Sequence, residues 1–305
     1  MEQLMRSAQA GRIVHALLFS GPRGTGKRSM AALFARSALC QSAGERPCDS
    51  CPTCKKCLSG AHPDVHILAP EKNIIKVGEI RELTARLSLN AYEGGRKIAI
   101  IERADCMNEN AQNALLKTLE SPTGDTLFFL LTENPGALLS TVVSRCLQVR
   151  FRLLEPELCA KVLADRGVEP GRARLLAALS QGSVGRALEI DADAGYLELR
   201  QRVTDALEGM KGPGDVARAT AQIGEVKGRE GDVLEIMELW ARDLMRVQNG
   251  AAPMDAQEAQ RLRASRYCGS ALLQRVMRAR RQLNANVPWV NVLESMEFEL
   301  AREKA

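Results

Sequence analysis

The chain has 305 residues and a formal net charge of +5; 45% of its residues are apolar but only 4% are aromatic. This length predicts two or three domains with aliphatic cores, and the mild positive charge permits contact with phosphates without indicating a nucleic-acid-binding tail. No run approaches the roughly 18 apolar residues of a membrane span, and residues 1–12 lack the apolar core of a signal peptide. We therefore expect a cytoplasmic protein that does not contact a membrane.

The first half of the chain alternates short apolar runs with segments of helical periodicity. The apolar runs predict strands at Ala16–Ser20, Val65–Leu68, Lys97–Ile101, 127–131 and 147–151. Helices are expected between Met30 and Leu39, at 74–89, and at 107–120, where Pro122 stops the last one. Strands that are apolar throughout are buried on both faces, so their alternation with helices indicates an α/β fold with a parallel sheet.

From about residue 152 onward the pattern is entirely helical. Helices are predicted at 155–166, 170–180, 183–189, 195–209, 214–226, 231–248, 254–263, 269–284 and 287–302. Glycine, proline and aspartate breaks at 211–215 and 249–250 separate some of them. We expect three domains: an α/β domain at 1–152 with an inserted segment at about 40–60, a small helical domain at 153–194 and a larger helical domain at 195–305.

The first strand runs into a glycine-rich turn that opens a helix. Residues 21–27 read GPRGTGK and fit the pattern G-x-x-x-x-G-K in the strand-to-helix context that a P-loop requires. Backbone N–H groups around Gly21, Gly24 and Gly26 would close around a phosphate, and Lys27 would reach the outer phosphates. The motif therefore indicates a P-loop fold and a candidate site for ATP or ADP.

Two features of this P-loop protein depart from a hydrolysing enzyme. Arg28 stands where a working P-loop has the serine or threonine that binds Mg²⁺, and Ser29 comes one residue late, about 100° around the helix. The third strand should end in an aspartate for the metal and a glutamate for the water. Glu102 partly replaces the aspartate that would hold the metal. Arg103 stands where the glutamate should be and cannot act as the base. We therefore expect no independent ATP hydrolysis.

Nine cysteines in a reducing compartment are not expected to form disulfides. Cys48, Cys51, Cys54 and Cys57 fall in one ten-residue stretch, which indicates a metal site in a cytosolic chain. Tetrahedral zinc takes four ligands. The first three of these cysteines therefore need a fourth, which is either Cys40 or Cys57. The alternative is a set of free thiols on a mobile loop.

Several strings in the first 190 residues resemble the clamp loaders of the AAA+ family. They are GRIVHA at 11–16, IERADCMN at 101–108, AQNALLKTLESP at 111–122, LTENP at 131–135, SRC at 144–146 and GSVGRAL at 182–188. The SRC and NALLK strings together are highly specific to this family. The resemblance, close over about residues 8–190, implies an AAA+ P-loop domain with a parallel sheet, a small helical lid and an all-helical C-terminal collar.

The resemblance also implies roles for individual residues. Thr132 stands at the family's sensor 1 position, and Arg186 lies in a segment similar to sensor 2 of the lid. Arg145, inside SRC, is implied to be an arginine finger that acts in trans on the ATP of a neighbouring subunit.

The position of the cysteines relative to GAHPD at 60–64, which resembles the sequence after the family's zinc module, implies one set of ligands for a structural zinc ion. That set is Cys40, Cys48, Cys51 and Cys54. On this reading Cys57 is a spare thiol.

Within the family, the chain resembles the non-hydrolysing delta-prime branch, because Arg28 and Arg103 replace residues that a tau/gamma motor needs. The resemblance implies tau/gamma-type motor subunits and a delta subunit as partners, primer-template DNA met through the assembly, and an indirect link to the sliding clamp. Family members usually carry further residues before the segment matching 4–12, and these help to surround adenine, so nucleotide binding stays open. The alternative is a competent AAA+ ATPase, either a motor subunit or a stand-alone enzyme.

Other cysteines and arginines are expected to serve structure. Cys106, Cys146, Cys159 and Cys268 lie in apolar patterns and are predicted in the core. An arginine-rich set is interpreted as a solvated face, with contact to an acidic neighbour or to DNA as the alternative; it comprises Arg261, Arg263, Arg266, Arg275, Arg278, Arg280 and Arg281.

Overall fold

A computed structural model describes residues 14–71, 73–93, 95–224, 226, 228–255 and 258–302. The chain divides into two compact units. The first ends at Leu153 and also contains Ser183–Gly185; the second contains Leu154–Gly182 and the residues from Arg186 onward. The segment 4–12, which the resemblance to the family includes, lies outside the described residues, and the three-domain division stays a prediction.

The first unit is built on a five-stranded sheet. Its strands are β1 Ala16–Ser20, β2 Val65–Leu68, β3 Lys97–Ile101, β4 Thr126–Thr132 and β5 Leu147–Arg150. They lie in the order β2-β3-β4-β1-β5, and every neighbouring pair is parallel. β1, β3 and β4 are buried along their whole length, whereas β2 and β5 form the partly exposed edges. The predicted α/β class is confirmed, and the continuous apolar runs are the central strands.

Helices of this unit connect the strands. They are α1 Lys27–Leu39, α2 Pro52–Leu58, α3 Val77–Ser88, α4 Glu109–Glu120 and α5 Ser140–Val143. The sequence did not predict α2 or α5. α3 begins later than expected because Ile75 forms an isolated bridge with Met107. α4 begins at Glu109 because the Asn108 side chain accepts a hydrogen bond from the Ala111 N–H and caps the helix.

The sheet separates two apolar cores. Neighbouring strand residues point to opposite faces, so Leu18 packs with Leu115 of α4 on one face, while Phe19 packs with Phe34 of α1 and Phe129 of β4 on the other. The Phe19 and Phe129 rings meet edge to face with centroids 5.6 Å apart. Burial on both faces fixes β1, and with it the start of the P-loop.

The second unit consists of helices. They are α6 Pro156–Ala164, α7 Pro170–Leu179, α8 Val184–Ala192, α9 Tyr196–Gly209, α10 Val216–Gly224, α11 Glu230–Gln248, α12 Ala259–Ala264, α13 Gly269–Asn284 and α14 Trp289–Arg302. α8 starts within Ser183–Gly185 and continues into this unit. Trp240 of α11 is buried edge to face against Tyr267. Among all described residues, no helix is both long and apolar enough to cross a bilayer.

Two structural expectations from the sequence need correction. Cys146 and Cys159 are buried as predicted, but Cys106 is only partly buried and Cys268 is exposed, since it stands at the N-cap of α13. The arginine-rich set is not simply a solvated face, because several members form ion pairs inside the second unit. Those pairs join Arg261 to Asp205 and Glu208, Arg275 and Arg278 to Glu299, and Arg280 to Glu238.

A carboxyl group lies in the core of the second unit. Glu297 of α14 has no exposed surface, and its Oε2 accepts a hydrogen bond from Thr220 of α10 at 2.6 Å. Burial raises the pKa of Glu297 from 4.5 to about 7. The folded chain then holds a proton that the unfolded chain releases, so the free energy of unfolding falls as pH rises from 4.5 through about 7.

Glu297→Gln is expected to remove this fall, because the amide keeps the hydrogen bond to Thr220 and does not ionise. The free energy of unfolding should rise by about 1–3 kcal/mol at pH 8 and change little at pH 5. Urea unfolding at both pH values measures the difference. Glu198→Gln, at an exposed position of the same unit, is the control. A Glu297→Gln protein with the wild-type pH slope would contradict the assignment.

Candidate functional site

The P-loop lies between β1 and α1, where the sequence predicts it. Gly21 has φ +149°, and a Cβ there would lie 2.2 Å from the carbonyl oxygen of Phe151, so only glycine fits beside the end of β5. Gly26, with φ +90°, stands at the N-cap of α1. These conformations turn the chain sharply from the strand into the helix.

The segment Ser183–Gly185 packs directly against this loop within the first unit. The Ser183 hydroxyl donates to the carbonyl of Arg23 at 2.9 Å, and the Gly185 N–H donates to the carbonyl of Gly24 at 2.8 Å. A Cβ on Gly185 would lie 2.7 Å from Gly24 Cα. The start of the GSVGRAL string therefore holds the loop by two hydrogen bonds and a close backbone contact.

Lys27 folds back onto its own loop. Its Nζ donates to the carbonyls of Gly21 at 2.5 Å and Pro22 at 2.8 Å. Burial lowers the pKa of Lys27, while the nearby carboxylates of Glu133 and Asp105 act in the opposite direction. The ammonium group is thus satisfied by carbonyl oxygens at the mouth of the P-loop.

The two residues that depart from a hydrolysing P-loop meet each other. Arg28 Nε lies 2.8 Å from Glu102 Oε1; the arginine side chain is 73% exposed and the glutamate 19%. Arg103 has a left-handed backbone, and its Nη1 donates to Asn73 Oδ1 at 2.6 Å. The Arg28 guanidinium therefore forms an ion pair with the Glu102 carboxylate, which would otherwise be available to a metal ion.

Thr132 lies at the end of β4 and is almost fully buried. Its hydroxyl donates to Asp105 Oδ1 at 2.8 Å and accepts from the Asn134 N–H at 3.1 Å. Asp105 follows β3 in a short 3₁₀ turn. The hydrogen bond thus joins the ends of the two central strands, and Asp105 is a partner that the sequence analysis did not identify.

Arg186 belongs to the second unit, where carboxylates surround it. Its Nη2 donates to Asp232 Oδ1 at 2.7 Å and to Glu235 Oε2 at 2.6 Å, and Nη1 donates to Glu189 Oε2 at 3.2 Å. The guanidinium carbon lies 5.3 Å from the centre of the Tyr196 ring. These contacts link α8 to α9 and α11 and give Arg186 a structural role, while the nucleotide role expected from the sequence stays a prediction.

Arg145 stands between α5 and β5, next to the buried Cys146. Its Nη1 donates to the carbonyl of Thr141 at 2.8 Å, and its Nη2 pairs with the carboxylate of Glu120 at the end of α4. The side chain remains 34% exposed. The guanidinium is therefore anchored at one end and open to solvent.

The structure brings four cysteines together. The Sγ atoms of Cys40, Cys48, Cys51 and Cys54 all lie within 4.8 Å of one another, whereas Cys57 is not part of this group. Cys40 follows α1, and Cys51 caps α2 through a hydrogen bond from the Cys54 N–H to its sulfur. Two helix ends therefore fix most of the cluster.

The cluster has the chemistry of a structural metal site. Tetrahedral zinc with Zn–S bonds of about 2.3 Å would place its sulfurs about 3.8 Å apart. The four Sγ atoms, all within 4.8 Å of one another, would need to move only slightly closer together to bind it. Hydrogen bonds from Ser50 and the Cys51 backbone lower the pKa of Cys48 to about 6, whereas burial raises the pKa of Cys54 to about 12. Burial raises the pKa of Cys57 to about 11. The four cysteines of the group can hold one metal ion.

The fold and the P-loop together indicate the class of protein to which the chain belongs. A P-loop between the central strand β1 and α1, four parallel strand pairings in the order β2-β3-β4-β1-β5 and a following helical unit are features of an AAA+ P-loop protein. A solved structure of a DNA polymerase III gamma subunit-related protein from Thermotoga maritima has the same fold. It is similar over 98% of this chain and all of that chain, with a TM-score of 0.54 and 16% identity.

The particular family follows from the sequence comparison. The family described as DNA polymerase III, delta subunit, matches residues 1–155, and the chain belongs to it. The chain is 40% identical to DNA polymerase III subunit delta' of Bacillus subtilis over 208 residues, which are 68% of this chain and 63% of that protein. It is 41% identical to subunit delta' of Escherichia coli over 194 residues, which are 62% of this chain and 58% of that protein.

These matches span about three fifths of the length of each relative. The resemblance to the delta-prime branch, predicted from the sequence, is confirmed by them.

Proposed function

We propose that this chain is a delta-prime-type subunit of a bacterial sliding-clamp loader in DNA replication. It serves as an AAA+ arm that does not hydrolyse ATP and that offers Arg145 to the ATP of a neighbouring motor subunit. The observation that carries the proposal is the ion pair between Arg28 and Glu102 at the P-loop, together with an arginine left open to solvent at the edge of the same unit.

Hydrolysis by the chain's own P-loop is disfavoured by its charges. Phosphoryl transfer by P-loop enzymes needs a magnesium ion held by a hydroxyl and an acid, and a residue that orients the attacking water. Here Arg28 brings a positive charge to the position of the hydroxyl and pairs with Glu102, while Arg103 binds Asn73. The proposal holds whether or not ATP or ADP occupies the loop, because binding alone does not supply these groups.

The position of Arg145 supports a role as a trans-acting finger. It lies beside β5, an edge strand, and not in the buried middle of the sheet. Its planar guanidinium presents donors whose geometry matches phosphate oxygens. The backbone at Arg145 is fixed by a hydrogen bond from its N–H to the Val142 carbonyl at 3.2 Å. This supports an arginine that reaches outward from a rigid base.

The cysteine cluster is proposed to hold one structural zinc ion through Cys40, Cys48, Cys51 and Cys54. Four protein ligands leave no open position for a substrate, so the ion would stabilise the inserted segment and take no part in catalysis. The zinc would join the end of α1 to the start of α2.

The proposed partners are tau/gamma-type motor subunits and a delta subunit, with primer-template DNA met through the assembly and the sliding clamp reached indirectly. The proposed domains are the AAA+ domain at 1–152, the lid at 153–194 and the collar at 195–305. The proposed location is the cytoplasm, and no membrane contact is proposed.

The first test is ATP turnover by the purified chain, alone and with primed DNA. We expect no turnover above background, and no change in Lys27→Ala. Turnover at the rate of a motor subunit, abolished by Lys27→Ala, would instead support the alternative of a competent ATPase. Copurification from cells with mass spectrometry is the companion test, and recovery of motor and delta-like subunits is the expected result.

A further inference from the structure

We infer that Glu120 is a positioning residue for Arg145: its carboxylate holds the guanidinium at the edge of the first unit, ready for a neighbouring subunit's phosphate. This inference rests on the proposed function of Arg145. Glu120 is the last residue of α4, and its partner lies 25 positions further along the chain. The ion pair therefore exists only because the fold brings the end of α4 beside the end of α5.

The carboxylate projects from a fixed helix end. Ser121 terminates α4 with an N–H hydrogen bond to the Lys117 carbonyl at 3.1 Å, and Pro122 prevents the helix from continuing. The last carbonyl groups of a helix also carry partial negative charge, which adds to the attraction for a guanidinium nearby.

The two ends of the ion pair share one rigid frame. Gln112 in the first turn of α4 accepts a hydrogen bond from the Leu139 N–H at 2.6 Å and donates to the Ala137 carbonyl at 3.1 Å. Leu139 is the N-cap residue of α5, the short helix that ends just before Arg145. Gln112 therefore ties α4 to the start of α5, and Glu120 and Arg145 stand at the ends of two connected helices.

Arg145 can keep this partner while it binds a phosphate. A guanidinium has five N–H donors. Within the described chain, Arg145 bonds to the Thr141 carbonyl, to Glu120 and, at 3.5 Å, to Ser144 Oγ. At least two donors remain for phosphate oxygens. Two anchors also restrict the rotation of a long side chain before a ligand arrives, so less conformational entropy is lost on binding.

The pair is poorly suited to stabilising the fold. The Glu120 side chain is 50% exposed and the Arg145 side chain 34% exposed, and ion pairs at such exposure contribute little to stability. Loss of Glu120 should therefore lower the rate of ATP hydrolysis by the assembled clamp loader. The melting temperature of the chain should stay unchanged. A role in positioning and a role in folding are separable by experiment.

The test uses the reconstituted clamp loader with primed DNA and clamp, and measures kcat and KM for ATP. The variants are Glu120→Ala, Glu120→Gln, Arg145→Ala and the double variant, with Glu82→Ala as the matched control. Glu82 is an exposed carboxylate of α3 that pairs with Arg86. Assembly is checked for each variant by size-exclusion chromatography.

We expect Glu120→Ala to lower kcat about tenfold with KM unchanged, since a misplacement of about 1 Å can cost about 10²-fold at one site and the assembly has several ATP sites. Glu120→Gln should restore most of the rate, because its amide oxygen still accepts the Nη2 hydrogen bond. The double variant should be no slower than Arg145→Ala, and Glu82→Ala should match the wild type.

The outcomes separate the two claims. If Arg145→Ala lowers kcat and Glu120→Ala does not, the positioning role is overturned while the proposed function stands. Equal losses in Glu120→Ala and Glu120→Gln also overturn it, because a hydrogen-bonding amide would then be no substitute. If Arg145→Ala itself has no effect, the proposed function fails and the inference fails with it.

Discussion

Arg145→Ala is expected to leave a reconstituted clamp loader assembled while its DNA-stimulated ATP hydrolysis and clamp loading fall. In other phosphoryl-transfer systems an arginine finger contributes about 10³–10⁵ in rate at the site it serves. An assembly with several ATP sites would lose less when one finger is removed, and we expect a fall of about tenfold or more. Steady-state ATP hydrolysis and a fluorescence assay for clamp loading measure the two quantities.

Two further variants define the cause of that fall. Arg145→Lys keeps the charge but loses the planar pair of donors, so its rate should lie between those of the wild type and Arg145→Ala. Arg86→Ala is the matched control, because Arg86 is an exposed arginine of the same unit in an ion pair with Glu82. If the Arg145→Ala assembly forms and loads clamps at the unmutated rate, Arg145 is an ordinary surface arginine.

If the cysteine cluster holds the proposed zinc ion, Cys51→Ser is expected to release it and to destabilise the first unit. Cys51 is the N-cap of α2, and serine is itself a favourable N-cap residue, so the substitution removes a metal ligand while keeping the helix start. Loss of a structural zinc removes binding free energy that is coupled to folding. We expect the free energy of unfolding to fall by about 1 kcal/mol or more, which lowers Tm by several degrees. Elemental analysis and thermal unfolding measure the two effects.

Cys57→Ser is the matched control for this prediction. Cys57 lies in the same helix but outside the group of four sulfurs, so metal content should stay at one zinc per chain. Cys40→Ser should lose zinc as Cys51→Ser does. Zinc lost from Cys57→Ser and kept by Cys40→Ser would show that the ligand assignment is wrong.

The choice between Cys40 and Cys57 shows what the cysteine spacing can predict about the metal ligands and what it cannot. Spacing alone allowed either residue as the fourth ligand, and resemblance to a family was needed to favour Cys40. The structure groups Cys40 with the other three because residues 52–58 form α2, which the sequence pattern did not predict. An α-helix rises about 1.5 Å per residue, so Cys57 lies about 9 Å along the axis from Cys51, too far to share an ion.

Arg28 and Glu102 illustrate a second limit. Each could be recognised as a departure from a hydrolysing P-loop, because both motifs are contiguous strings of residues. Their ion pair could not be predicted, since it depends on β3 lying two strands away from β1 with β4 between them. The same holds for Arg145 and Glu120, and for Arg186, whose carboxylate partners Asp232 and Glu235 stand more than 40 residues away.

Local patterns by themselves determined most of the helices and strands of this protein, with α2 and α5 as exceptions. Continuous apolar runs identified the central strands β1, β3 and β4, because a strand covered on both faces has no polar side to interrupt it. The glycine positions identified the P-loop, because only glycine fits its backbone at Gly21. Only the tertiary structure decided which charged side chains are paired and which cysteines converge. Those contacts join residues distant in sequence, and their energies depend on separations of a few ångströms that no local pattern records.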